Sequence, residues 1–126
     1  MRLLLDTHIV LWWLADSPRL TPRSRKLIVR NEEVFVSAAT AWEIAIKKSL
    51  GKLQAPENLE AALAASRFHE LAISVRHALA AGALARHHDD PFDRLLVAQA
   101  HSENMTLLTS DSRLEAYGGK LALNTP

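Results

Sequence analysis

Four acids stand out by where they fall along the chain. Asp6 follows the apolar run Leu3 to Leu5, and Glu43 lies in the alanine-rich segment Ala38 to Leu50. Asp93 comes just after Asp90-Pro91, and Asp111 follows Thr106 to Thr109. Acids drawn together from separate segments point to metal chemistry. Two carboxylates about 6 Å apart repel by ~3 kcal/mol at an effective dielectric near 20, and four of them multiply that cost. Protonation or a basic neighbour relieves part of it, and a divalent cation relieves it more completely. An all-oxygen donor set favours Mg²⁺ or Mn²⁺ over zinc. Such a site can activate a nucleophilic water and stabilise charge on a phosphoryl group.

Each acid also has a structural reading. Asp6 is placed to cap a helix, and Glu43 to pair with Lys47 at i+4 on a surface. Asp93 suits the dipole of a helix first turn, and Asp111 suits turn chemistry before Ser112. Val97 and Ala100 share Asp93's side at i+4 and i+7, so that carboxylate is expected to face the sheet rather than solvent. Asp90 reads as a cap and Asp89 as solvated. His87 and His88 are within reach of a metal or substrate, yet adjacent loop histidines are commonly solvated. Arg94 reads as either a phosphate contact or a surface residue. Trp12, Trp13 and Trp42 read as core or partner surface. There is no HxxxH, no GxSxG and no glycine-rich phosphate loop.

The elements that must position these residues alternate in type. Strands are predicted at Leu3–Leu5, Val34–Val36, Leu71–Val75, Thr106–Thr109 and Leu121–Leu123. A helix follows Asp6, and others begin at Thr21-Pro22, at Ala38 and at Asp90-Pro91, the last running to Glu103. Alanine-rich helices are predicted over Glu57–Arg67 and Arg76–Arg86. Ser112 and Glu115 have capping-box spacing for a final short helix before Gly118-Gly119. Strands separated by helices imply a parallel α/β sheet covered on both faces, with ligands outside the carboxyl ends of the strands.

Composition sets wider bounds. The 126 residues suit one domain, 1–126, with 48% apolar and 23% charged residues. The absence of cysteine excludes disulfides and thiolate metal sites and suits a reducing cytoplasm. The apolar start is too short to span a membrane and lacks the marks of a signal peptide. Net charge is only +1. With four acids in one pocket, however, 15 basic against 10 acidic side chains remain, a mild bias compatible with a phosphate backbone.

Four segments in order, LLLDTHIVLWWL, SAATAWEIAIKKSLGKL, HHDDPFDRLLVAQA and LLTSD, resemble the PIN-domain nucleases, specifically VapC-type toxins of toxin–antitoxin pairs. The resemblance covers nearly the whole chain. It implies a parallel sheet of order 3-2-1-4-5 flanked by helices and a Mg²⁺- or Mn²⁺-dependent endoribonuclease. It also implies a homodimer inhibited by a VapB-type antitoxin. Asp6, Glu43, Asp93 and Asp111 match the family's four acids, with Asp6 and Asp93 as principal metal ligands. Ser110 matches a small polar position that assists the site, and Lys47 also fits the pattern. The alternatives are a PIN-type housekeeping nuclease and a non-catalytic protein-binding module. A haloacid-dehalogenase-type phosphatase would need DxD where the chain has Asp6-Thr7-His8, and the receiver-domain pattern, an acceptor Asp on a central strand with a lysine after a late strand, does not appear.

Overall fold

Leu3, Leu4 and Leu5 have no solvent exposure, because the strand they form, β1 (Arg2–Leu5), lies at the centre of a sheet covered on both faces. The computed structural model describes residues 1–126. In chain order α1 (Thr7–Leu14), α2 (Pro22–Arg30), β2 (Glu33–Ser37), α3 (Ala38–Ser49) and α4 (Leu59–Ala65) follow β1. Then come β3 (His69–Leu71), α5 (Val75–Ala83), α6 (Pro91–Glu103), β4 (Thr106–Thr109), a 3₁₀ turn (Ser112–Tyr117) and β5 (Leu121–Leu123). The five strands are all parallel, in the order β3-β2-β1-β4-β5. That is the topology the sequence resemblance implies.

Strand pleating sends alternate side chains to opposite faces. Leu3 and Leu5 join Ile9, Val10, Ile28 and Ile44 in one core, while Leu4 joins Leu96, Val97, Ala100 and Leu107 in the other. Strand order reverses beside β1: the chain runs outward to β2 and β3, then crosses back to β4. The crevice at the carboxyl ends of β1 and β4 is therefore the switch point where an open α/β sheet binds ligands.

Several boundaries differ from the sequence reading. The strand expected over Leu71–Val75 lies at His69–Leu71. Ser74 accepts from the His77 backbone N–H, and His77 Nδ1 accepts from the Ser74 N–H, closing a capping box that starts α5 at Val75. Histidine in place of the usual Glu or Gln hides that signal. The helix expected over Glu57–Arg67 is trimmed to Leu59–Ala65 behind the Asn58 cap, and α5 stops at Ala83 rather than Arg86. At the last turn the cap is Asp111, not Ser112. The helix expected from Pro91 to Glu103 is found with those bounds, capped by Asp90.

A buried polar network locks the layers together. Ser37 caps α3 and donates to Gln99 Oε1, while Gln99 Nε2 donates to Ala72 O and His77 Nδ1, both at 3.3 Å. His77 Nε2 meets Glu103 at 3.1 Å. No buried side-chain polar atom lacks a partner. No helix is long and apolar enough to cross a membrane.

Candidate active site

Asp6 is the first residue beyond β1 and the N-cap of α1. Its buried carboxylate accepts from the Thr7 N–H at 2.7 Å and from Thr109 Oγ1 at the end of β4. Thr109 Oγ1 in turn accepts from the Asp111 N–H at 3.1 Å. On the other side, Thr7 Oγ1 donates to Glu43 Oε1 at 2.7 Å. The single Thr7 proton is spent there, so the 3.1 Å contact with Thr40 runs from the Thr40 hydroxyl. Two threonines thus tie Glu43, Asp6 and Asp111 into one hydrogen-bonded array.

Asp93 enters from the first turn of α6, behind the Asp90 cap. Its carboxylate is half-buried, as the apolar positions Val97 and Ala100 required. Burial, and next the charge of Asp6, push its pKa up to about 6, against a hydrogen bond from His88. Burial also raises Asp6, with Glu43's charge adding to it. Burial is the larger cause of both shifts, and beside it Asp93 feels the charge of Asp6 and Asp6 that of Glu43. Asp111 shows the opposite: hydrogen bonds from Arg113 hold its carboxyl below the usual range. The guanidinium fork meets Asp111 at 2.7 to 3.2 Å.

The structural readings of the acids hold alongside this convergence. Asp6 and Asp111 cap their helical turns. The Glu43–Lys47 pair forms at 2.7 Å, but it is not a surface pair, because the Glu43 side chain is only 4% exposed. The hydrogen bond to Glu43 raises the Lys47 pKa. Buried Glu43 is thus met by one ammonium and one hydroxyl.

Sequence reasoning undervalued several residues. His88 is not solvated: its side chain is 10% exposed, with Nε2 at 2.8 Å from Asp93 Oδ2 and 3.8 Å from Asp111 Oδ2. His87 is the exposed neighbour, edge-on to Tyr117. Arg94 is neither a phosphate contact nor a plain surface residue. Its guanidinium donates to the carbonyls of Ala81, Leu84, Ala85 and His88 and to the Tyr117 hydroxyl, clamping the loop that carries His88. Ser110 is exposed, and the adjacent Thr109 makes the bond to Asp6. The threonines flanking Asp6 and Asp111 in the runs Asp6-Thr7 and Thr109-Ser110-Asp111 were the available signal. Nothing local announced the fold-back of the His88 loop.

The donor set suits a hard divalent cation. His88, Asp93 and Asp111 offer ligand atoms that all lie within 4.8 Å of one another. Asp6 adds an oxygen donor whose charge Asp93 feels. The repulsion recorded at Asp93 is what a bound cation would relieve. The largest surface hollow lies elsewhere, between α2 and β5, lined by Arg23, Lys26 and Arg30 and by none of the four acids.

A family model described as PIN domain matches residues 3–120. Ribonuclease VapC22 of Mycobacterium tuberculosis is 29% identical over 117 residues, 90% of this chain and 90% of that protein. Among solved structures, a chain of VapBC2 from Rickettsia felis bound to a promoter DNA fragment has a TM-score of 0.73 at 20% identity, covering 98% of each chain. A chain of DNA-bound VapBC from Salmonella typhimurium has 0.73 at 19% identity, covering 99% of each. FitAcB from Neisseria gonorrhoeae gives 0.70 at 20% identity and 97% of each.

Proposed function

This chain belongs to the PIN domain family, and on that footing we propose that it is a divalent-metal-dependent endoribonuclease, the toxin of a VapBC-type toxin–antitoxin pair. The observation that carries the proposal is the array Glu43–Thr7–Asp6–Thr109–Asp111, with Asp93 close enough to Asp6 to feel its charge. The ribonuclease relative supports the reaction, and the likeness to chains of VapBC complexes supports an antitoxin partner. The ion is Mg²⁺, with Mn²⁺ able to replace it.

Asp6 and Asp93 would be the principal ligands, with Glu43 and Asp111 completing the set or holding waters. A divalent cation bound there supplies Lewis-acid polarisation of the phosphodiester and a nucleophilic water at neutral pH. The chain's own residues prepare the place. Thr7 and Thr109 fix the rotamers of Asp6 and Glu43. Lys47 pairs with the Glu43 carboxylate. Arg113, 68% exposed in its side chain, can turn from Asp111 to a phosphate, whose geometry its planar fork also fits.

Partners follow from surface chemistry. Trp42 is 64% exposed, Val75 77% and Leu79 71%. Apolar side chains so exposed on α3 and α5 favour a protein interface, with a second copy of the chain or with a VapB-type antitoxin. The chain would act in the cytoplasm, on RNA, as one PIN domain over 1–126.

The test is cleavage of RNA in Mg²⁺ or Mn²⁺ by the wild type and by Asp6→Asn. Cleavage is expected to be lost in the variant and in chelator. Equal cleavage in all three conditions would remove the proposal. A small gene for a DNA-binding protein beside this one is expected for the toxin role, and its absence favours a housekeeping nuclease.

A further inference from the structure

We propose that His88 is a nitrogen ligand of the metal centre and shifts its selectivity from Mg²⁺ toward Mn²⁺. The inference rests on the metal-binding reading above. His88 Nε2 lies 2.8 Å from Asp93 Oδ2 and 3.8 Å from Asp111 Oδ2, and the three donors lie within 4.8 Å of one another. Ligands about 2.1 Å from one octahedral ion stand roughly 3 Å apart when adjacent and about 4.2 Å apart when opposite. The two His88 spacings, 2.8 and 3.8 Å, are close to that range.

His88 is also held in place, which a solvated loop histidine would not be. Its carbonyl accepts from Arg94 at 3.3 Å and from the Tyr117 hydroxyl at 3.2 Å, so α6 and the last 3₁₀ turn both fix its backbone. Its side chain is 10% exposed, whereas His87 beside it is exposed. The backbone that carries the ring is thus fixed by contacts that do not involve the two carboxylates, and the ring itself meets Asp93. Mg²⁺ is held by oxygen donors, whereas imidazole suits first-row transition ions. One nitrogen among oxygens therefore leaves Mg²⁺ binding possible and favours Mn²⁺.

The experiment measures Mn²⁺ and Mg²⁺ binding by calorimetry, and nitrogen coupling to bound Mn²⁺ by pulsed electron paramagnetic resonance. The proteins are the wild type, His88→Gln and His87→Gln, each with its fold checked by circular dichroism. The wild type and His87→Gln are expected to show nitrogen coupling. His88→Gln should lose it and bind Mn²⁺ about tenfold more weakly or worse, the lower end of what losing even an outer partner of a metal ligand costs. Mg²⁺ affinity should change less. Bound Mn²⁺ without nitrogen coupling in the wild type, or an unchanged Mn²⁺-to-Mg²⁺ ratio in His88→Gln, overturns this proposal and leaves the metal-dependent nuclease standing. No Mn²⁺ binding overturns this proposal, and binding of neither Mn²⁺ nor Mg²⁺ overturns both.

Discussion

Thr7 and Thr109 convert separate carboxylates into one array, and each does so from a buried position. Thr109→Val keeps the shape and removes the donor to Asp6, leaving a buried carboxylate oxygen short of a partner. A loss of about 1–3 kcal/mol in denaturant unfolding is expected, together with weaker metal binding. Asp93 makes the opposite case. Its folded pKa of about 6 lies above the ordinary carboxylate value, so its charge destabilises the metal-free fold at neutral pH. As pH falls through 6 the folded chain takes up that proton before the unfolded chain does, and the penalty fades. Without metal, Asp93→Asn is therefore expected to stabilise the fold and raise its melting temperature at pH 7.5, on the order of 1 kcal/mol after solvent screening, and to do so less at pH 5, the rest vanishing only as the pH falls to the unfolded-state value of about 4. An equal effect at both pH values would contradict that reading. The positions of the four acids were legible because each sits at an element end or on an apolar helical face. His88 was not, because a loop's path depends on side chains such as Arg94 that bind it from elsewhere in the fold.

Local caps decide where the elements stop, and the site depends on them. Ser37 starts α3, which carries Glu43, and Asp90 starts α6, which carries Asp93. Ser74→Ala removes one half of the capping box at α5 and is expected to cost about 1 kcal/mol in unfolding free energy. Arg94→Ala frees five hydrogen-bond acceptors along residues 81–88 and at Tyr117. Hydrogen exchange over residues 84–90 should speed up while β1 and β4 stay protected; uniform change across the chain would argue against a local clamp. The cap–proline pairs Thr21-Pro22 and Asp90-Pro91 made α2 and α6 readable from sequence. The start of α5 was misread because its N3 residue is histidine, and Val75 passed for the end of a strand.

Across the whole molecule, the site lies where strand order reverses, so a metal bound there would bridge elements far apart in sequence. Asp6 and Asp111 come from opposite ends of the chain. A ligand that binds only the folded state adds about 2.7 kcal/mol at a hundred times its Kd. Mn²⁺ is therefore expected to raise the melting temperature of the wild type and to have little effect on Asp93→Asn, reversing their metal-free order. A tenfold chelator excess should restore that order. The parallel sheet was legible from the alternation of elements, and its strand order only through the family resemblance, since short strands do not name their neighbours. The most direct test is an anomalous-scattering map at the manganese edge from crystals grown with Mn²⁺. A peak bounded by Asp6, Asp93 and Asp111 is predicted; a peak remote from them, or none at saturating metal, would contradict the account.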